Sequence, residues 1–180
     1  GGAEAMLLKL LQHMDRSRFR PTVVSLVGMG EIGARIVALG IPVHTLDMRP
    51  GVVPNPLMIA KLVQLVRRLQ PDIVHTWMYH ADLLGGIAAR LAGCRNVVWG
   101  IRHSNLSKAE NKRSTLMVVK VCAALSGVLP AKILSCSYRA NQVHADAGYR
   151  ADKLYVIPNG FELDRFTPNA EARASVRLEL

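Results

Sequence analysis

Short apolar, β-branched runs alternate along the chain with longer stretches in which apolar residues recur every three or four positions. The short runs predict strands at Thr22–Val27, Val43–Leu46, Asp72–His75, Asn96–Ile101, Lys132–Ser135 and Leu154–Ile157. The longer stretches predict helices at Ala3–Met14, Glu31–Leu39, Pro56–Leu69, Ala81–Leu91, Lys112–Leu129 and Tyr138–Ala147. Because this alternation gives right-handed crossovers, the sequence predicts a doubly wound, Rossmann-like α/β fold with a parallel sheet.

The two ends of the sequence break this alternation. Gly1 and Gly2 lead directly into the first predicted helix, and no strand precedes them. In a doubly wound sheet the strand that feeds the first glycine turn is usually central. We therefore expect a strand before Gly1, and further chain beyond Leu180, where the sequence stops inside a charged helical pattern.

The chain is strongly basic, with a formal net charge of +10, which predicts attraction to polyanions. Aromatic residues make up only 5% of the sequence and do not interleave with a basic run, so the composition argues against nucleic acid. Phosphorylated small molecules and anionic lipid remain. Lys108, Lys112, Arg113 and Lys120 surround one predicted helix and are candidates for docking to an anionic membrane surface.

The cysteines favour a reducing compartment. Cys94, Cys122 and Cys136 lie far apart in apolar stretches and lack the spacing of a metal site, which predicts buried thiols and a cytoplasmic protein. The longest apolar stretch, Leu116–Leu129, is interrupted by Lys120 and is too short to span a bilayer. We expect any membrane contact to be peripheral, on the inner face.

A glycine-rich loop invites a different function. Gly28, Gly30 and Gly33 form a G-x-G-x-x-G motif between a predicted strand and a predicted helix, and Asp47 ends the next strand. This arrangement is typical of dinucleotide binding. However, a helix precedes the strand, and Gly40 ends the following helix early. Asp47 also precedes a predicted turn, where an aspartate side chain can cap the local backbone. We interpret the loop as a structural turn, and a dinucleotide-binding module stays an alternative.

Several segments resemble the retaining glycosyltransferases of family 4, which have the GT-B fold. They are Gly1–Glu4 (G-G-A-E), Gly40–Val43 (G-I-P-V), Pro71–Thr76 (P-D-I-V-H-T), the small-residue helix Leu83–Gly93, and Val156–Phe161 (V-I-P-N-G-F) with Arg165–Pro168 (R-F-T-P). The resemblance implies that residues 1–157 form the N-terminal, acceptor-side domain, without its first strand. Residues 158–180 would be the linker and the start of a C-terminal donor domain.

The same resemblance implies a substrate rather than a cofactor: a nucleoside-diphosphate sugar whose sugar passes to a glycan or to a lipid-linked acceptor. No metal is implied. A GT-B sugar epimerase shares the architecture and stays a second alternative.

The opening glycines are the first candidate site residues. Gly1 and Gly2 let the backbone approach a ligand closely, and the amides at a helix start favour phosphate. We therefore predict that both bind the donor diphosphate. Glu4 lies in the first turn, where a carboxylate offsets the helix dipole, so capping and acceptor binding are both open for it.

Histidines supply the remaining candidates. His103 follows a predicted strand at the edge where such folds bind ligands, and the resemblance implies that it faces the donor as a catalytic residue. Arg102 beside it is a candidate for the diphosphate, although the family more often has Thr or His at this position. Tyr79 and His80 are candidates for acceptor binding, whereas packing is the preferred role for His75.

Overall fold

The computed structural model describes residues 2–49, 56–161, 163 and 168–179, and it confirms the predicted α/β fold with parallel sheets. The strands are β1 (Val23–Ser25), β2 (Val43–Thr45), β3 (Val74–Trp77), β4 (Val97–Ile101), β5 (Lys132–Ser135) and β6 (Leu154–Val156). The helices are α1 (Gly2–Gln12), α2 (Gly30–Ala38), α3 (Pro56–Leu69), α4 (Tyr79–Leu91), α5 (Arg113–Leu125), α6 (Tyr138–Asp146) and α7 (Ala170–Glu179), with a short 3₁₀ turn at Ala151–Lys153.

The strands form two parallel groups. β1 pairs with β2, and β3, β4, β5 and β6 form a four-stranded sheet in that order. The two groups share a hydrophobic cluster, because Val24 of β1 and Val74 of β3 both pack against one set of buried residues from α3 and α4.

Small residues bring α4 close to this sheet. A Cβ added to Gly85 would lie 2.7 Å from Cγ2 of Thr76, and one added to Gly86 would lie 2.8 Å from Nε1 of Trp99. Trp99 is fully buried in β4, where such a side chain stabilises the fold by about 3 kcal/mol. The predicted small-residue helix therefore fits against the middle of the sheet because it lacks bulk there.

Some predicted boundaries are wrong at the strand ends. β3 is Val74–Trp77 rather than Asp72–His75, because Trp77 extends the pairing to Gly100 of β4. The next helix begins at Tyr79, immediately after Met78, which adopts a left-handed φ of 76°. This sharp turn from strand to helix places the residues after β3 beside the end of β4.

Helix α5 is also shorter than predicted. It ends at Leu125, because Ser126 donates its hydroxyl to the Ala123 carbonyl oxygen, and Gly127 and Pro130 follow. By contrast, α3 and β5 begin and end at the predicted residues.

Candidate functional site

The carboxyl ends of β3, β4, β5 and β6 lie along one edge, since all four strands are parallel. Open α/β sheets bind ligands outside this edge. Met78 follows β3, Arg102 and His103 follow β4, and Cys136 follows β5. The sequence-predicted histidine and arginine therefore lie at the edge where the fold places ligands.

A buried carboxylate joins the ends of β3 and β4. Oδ1 of Asp82 accepts a hydrogen bond from the Thr76 hydroxyl at 2.5 Å and another from the Gly100 amide at 3.3 Å. Burial raises the pKa of Asp82 to about 7, although the two hydrogen bonds and Arg102 oppose this shift. Sequence analysis did not identify Asp82 as a site residue. The signal that could have identified it is a single acidic residue inside a helix of small and apolar residues.

Arg102 is held between two neighbours. Its guanidinium carbon lies 3.7 Å from the centre of the Trp77 ring, and its Nη1 donates to Oδ1 of Asn159 at 3.0 Å. Nε of Arg102 is buried without a hydrogen-bond partner among the described residues. Burial lowers the pKa of the guanidinium, which still stays charged at neutral pH.

His103 presents a polar atom that the described residues leave unsatisfied. Its Nε2 is buried and has no hydrogen-bond partner there. Buried polar atoms without partners are uncommon, and a ligand is one of the explanations for them. Burial lowers the pKa of His144, and the proximity of His103 lowers it further.

Tyr79 and His144 form a buried pair. The Tyr79 hydroxyl lies 2.9 Å from Nε2 of His144, and Nδ1 of His144 lies 2.7 Å from the Ala140 carbonyl oxygen. Because a carbonyl oxygen only accepts, Nδ1 carries the proton, and Tyr79 donates to Nε2. Tyr79 is only 3% exposed and its hydroxyl is already used, whereas the adjacent His80 is exposed. Acceptor binding by either residue stays a prediction.

His75 packs in the sheet, the role preferred from the sequence. Its ring centre lies 5.5 Å from that of Trp77, and burial lowers the pKa of His75 to about 4, with Arg102 adding to the shift. The imidazole is therefore neutral at physiological pH.

The predicted site residues at the start of α1 are exposed. Gly2 is exposed at the start of α1, and a Cβ added there would meet nothing within 4 Å. Glu4 is exposed in the first turn of this helix. Gly1, the other predicted diphosphate ligand, lies outside the described residues.

The glycine-rich loop after β1 uses its polar groups locally. Ser25 donates its hydroxyl to the Gly28 carbonyl oxygen at 3.0 Å, and Thr45 donates to Oδ2 of Asp47 at 3.2 Å. Gly30 has a φ of 60°, which explains a glycine there without a ligand. A Cβ on Gly33 would meet Sδ of Met29 at 2.9 Å, so the Met29 side chain lies against the first turn of α2.

The described residues contain no group of three or more His, Cys, Asp or Glu side chains that would hold a metal ion. Within the same ranges, no helix has the length and apolar character needed to cross a membrane. Cys94, Cys122 and Cys136 are free thiols.

Two curated relatives are glycosyltransferases. The chain is 26% identical over 170 residues to the capsular polysaccharide biosynthesis glycosyltransferase CapH of Staphylococcus aureus, covering 94% of this chain and 46% of that protein. It is 28% identical over 127 residues to the UDP-Gal:alpha-D-GlcNAc-diphosphoundecaprenol alpha-1,3-galactosyltransferase of Escherichia coli, covering 70% and 33%. The chain thus spans less than half the length of these relatives.

Solved structures show the same fold. The chain matches Anabaena Alr3699/HepE in complex with UDP with a TM-score of 0.75 at 23% identity, over 99% of this chain and 46% of that one. The complex of the same protein with UDP-glucose gives a TM-score of 0.73 at 22% identity, over the same shares. The fold is therefore the Rossmann-like half of a GT-B fold. The family model Glycosyltransferase Family 4 matches residues 1–165, and the chain belongs to that family.

Proposed function

We propose that this chain is the N-terminal, acceptor-side domain of a retaining glycosyltransferase that uses a nucleoside-diphosphate sugar as its donor. The proposal is carried by Nε2 of His103 at the carboxyl edge of β4, which is buried and has no hydrogen-bond partner in the described ranges, in a chain of Glycosyltransferase Family 4. Residues 1–157 form the domain, and residues 158–180 link it to a second domain that completes the donor site.

In this proposal, His103 donates a hydrogen bond to the donor sugar or to its diphosphate. Gly1 and Gly2 add backbone amides at the start of α1, where the helix dipole favours negative charge. Arg102 supplies positive potential at the same edge. Transfer with retention passes through a charge-separated transition state, and preorganised donors of this kind stabilise the departing diphosphate.

The acceptor is a glycan or a lipid-linked sugar. Support comes from the two relatives, of which one is named for capsular polysaccharide biosynthesis and the other for a diphosphoundecaprenol acceptor. Glu4, Tyr79 and His80 are the acceptor-side residues of this proposal. Because Tyr79 is buried and its hydroxyl donates to His144, it supports the acceptor side of the site, whereas His80 is the exposed member of the pair.

A lipid-linked acceptor requires access to a membrane, and the outward face of α5 fits a cytoplasmic bilayer surface. Arg113, Lys120 and the preceding Lys112 are exposed, together with Met117 at 63% and Val121 at 37%. These five positions combine cations with apolar side chains and include no acid. Cations near an anionic surface each contribute about 1 kcal/mol, and the apolar side chains add contact with the lipid.

Vesicle flotation tests this surface. The double variant Lys112→Gln/Lys120→Gln should weaken binding to phosphatidylcholine vesicles with about 30% phosphatidylglycerol by at least about tenfold at low salt. Lys61→Gln/Arg68→Gln on α3 removes the same charge from another exposed face and should change binding less. Equal losses in both double variants would show that net charge alone attracts the protein to lipid.

The reaction is tested with the full-length protein and a panel of UDP-sugars. We expect UDP release that depends on a glycan or lipid-linked acceptor, with the anomeric configuration retained in the product. Interconversion of UDP-sugars without an acceptor would instead favour the epimerase. The 180-residue chain alone should show no transfer, because it holds only one wall of the cleft. Efficient turnover by this chain would contradict the two-domain arrangement.

A further inference from the structure

The segment that follows β6 turns back across the carboxyl edge of the sheet. The Ile157 amide still donates to the Ser135 carbonyl oxygen at 2.9 Å, which extends the pairing with β5. Asn159 then bonds to Arg102 at the end of β4, two strands away from β6. Two strand spacings are about 10 Å, and the two residue steps from Ile157 to Asn159 together with the Arg102 side chain cover that distance. The Arg102–Asn159 contact therefore passes over the end of β5.

The far end of this segment reaches the first helix. The ring of Phe161 lies 5.7 Å from Nζ of Lys9 on α1. Asn159 is half-buried, whereas Phe161 is 60% exposed, so the Arg102 contact is the more enclosed of the two. Residues 157–161 thus connect β5, β4 and α1 over the edge where the ligand is proposed to bind.

Neighbouring side chains restrain Arg102, which bonds to this segment. Trp77 lies against one face of its guanidinium, and Asn159 accepts from Nη1. Burial lowers the pKa of Arg102, and Asp82, which is fixed by Thr76 and by the Gly100 amide, opposes this shift when its carboxyl group is ionised. One face and one donor of the guanidinium therefore have defined partners, and together they restrict the orientation of this planar group.

We propose that Arg102 is a positioning residue that fixes residues 157–161 across the carboxyl edge and so sets the path along which the chain leaves the domain. This assignment differs from the direct diphosphate contact predicted from the sequence. It depends on the fold alone. If the proposed function also holds, residues 157–161 begin the connection to the donor domain, and Arg102 fixes the orientation from which that domain approaches.

Amide hydrogen exchange of the 180-residue chain tests the proposal without any ligand. Arg102→Gln and Asn159→Ala should each accelerate exchange of the Ile157 amide, which donates to the Ser135 carbonyl oxygen, by about tenfold, the effect of losing about 1.4 kcal/mol. The double variant should exchange no faster than the single variants, because both remove one interaction. Arg68→Gln, at an exposed position on α3, should leave exchange of this amide unchanged.

Exchange in β4 serves as the internal control. If Arg102→Gln also accelerates exchange at Trp99 and Ile101, the whole sheet edge has loosened, and Asn159→Ala then decides the result, since it leaves the arginine in place. Unchanged exchange of the Ile157 amide in Asn159→Ala, or additive effects in the double variant, would overturn the proposal.

Binding of UDP to the full-length protein separates positioning from direct contact. A positioning role predicts that Arg102→Gln and Asn159→Ala weaken UDP binding by similar factors, because both release the same segment. A direct ligand role predicts that Arg102→Gln weakens UDP binding and that Asn159→Ala does not, because Asn159→Ala leaves the guanidinium free to bind phosphate. The second pattern would return Arg102 to the diphosphate site.

Discussion

Two regions of this molecule carry glycines and polar residues beside strand ends, and they differ in whether their polar side chains have hydrogen-bond partners. After β1, the Ser25 hydroxyl bonds to the Gly28 carbonyl oxygen, and after the neighbouring β2, the Thr45 hydroxyl bonds to Asp47. In β3 and just after β4, by contrast, Nε2 of His75 and Nε2 of His103 are buried without partners among the described residues.

The difference shows how a motif can mislead. The loop after β1 has the letters of a dinucleotide fingerprint, yet its glycines and its aspartate have local explanations. The edge of β3 and β4 has no dinucleotide fingerprint, but it buries the Asp82 carboxyl group and contains polar atoms without partners among the described residues, which is typical of functional sites. Burial and hydrogen bonding, which depend on the tertiary fold, separate the two regions better than residue spacing does.

The largest effect that sharpens this comparison is expected at Asp82. Its pKa is raised from about 4 in the unfolded chain to about 7 in the fold, so the folded state binds the extra proton between these values. The stabilisation is complete below pH 4 and is lost between pH 4 and pH 7, at about 1.4 kcal/mol per pH unit or about 4 kcal/mol in total. Asp82→Asn, which cannot ionise, should gain stability relative to the wild type by this amount per unit.

Urea unfolding at pH 5 and at pH 7.5 measures this change. The free energy of unfolding of Asp82→Asn, minus that of the wild type, should be larger at pH 7.5 by at least about 1.4 kcal/mol. His75 has the opposite slope, since its lowered pKa of about 4 costs stability as the pH falls below 6.5, but it cancels in this difference. Asp72→Asn, at an exposed carboxylate, is the control. An equal difference in the free energy of unfolding at both pH values would contradict a raised pKa of Asp82.

His103 gives the next largest effect, in the full-length protein. A preorganised hydrogen-bond donor to a developing charge commonly contributes about 3 kcal/mol, or roughly a hundredfold in rate. His103→Ala should therefore lower turnover at least tenfold at an unchanged melting temperature. His13→Ala is the matched control, because His13 is exposed just beyond the end of α1. Normal turnover in His103→Ala would assign that residue a structural role.

A pair of glycine substitutions compares packing in the two regions directly. A Cβ on Gly100 would lie 2.6 Å from the Thr76 carbonyl oxygen, whereas a Cβ on Gly28 would meet Oδ1 of Asp47 at 3.9 Å. Gly100→Ala should therefore destabilise the protein by about 1–3 kcal/mol, and Gly28→Ala should change little. Thermal unfolding of the two variants measures this, and equal melting temperatures would contradict the tight packing of β3 against β4.

Much of the fold follows from sequence pattern, and the site follows only in part. The apolar period fixes α3 and β5 to the residue, and the strand ends direct attention to Arg102 and His103. The Asp82–Gly100, Arg102–Asn159 and Tyr79–His144 hydrogen bonds join residues between 18 and 65 positions apart. Local propensity and spacing contain no information about such contacts, because they form only when the sheet brings its strand ends together.

The smallest effect is expected for NAD. Because Ser25 and Thr45 bond to Gly28 and Asp47 without a ligand, calorimetry should detect no specific NAD or NADP binding. Asp47→Ala should leave this result unchanged. Micromolar affinity that disappears in Asp47→Ala would contradict the proposed function and support the dinucleotide module.

Mapping of UDP onto the full-length protein by amide hydrogen exchange tests the central claim most directly, because it reads both regions in one experiment. Saturating UDP should slow exchange at residues 102–104, after β4, and leave residues 28–33, after β1, unchanged. Protection at residues 28–33 with none at residues 102–104 would place the ligand at the glycine-rich loop and contradict the account given for the carboxyl edge of β3 and β4.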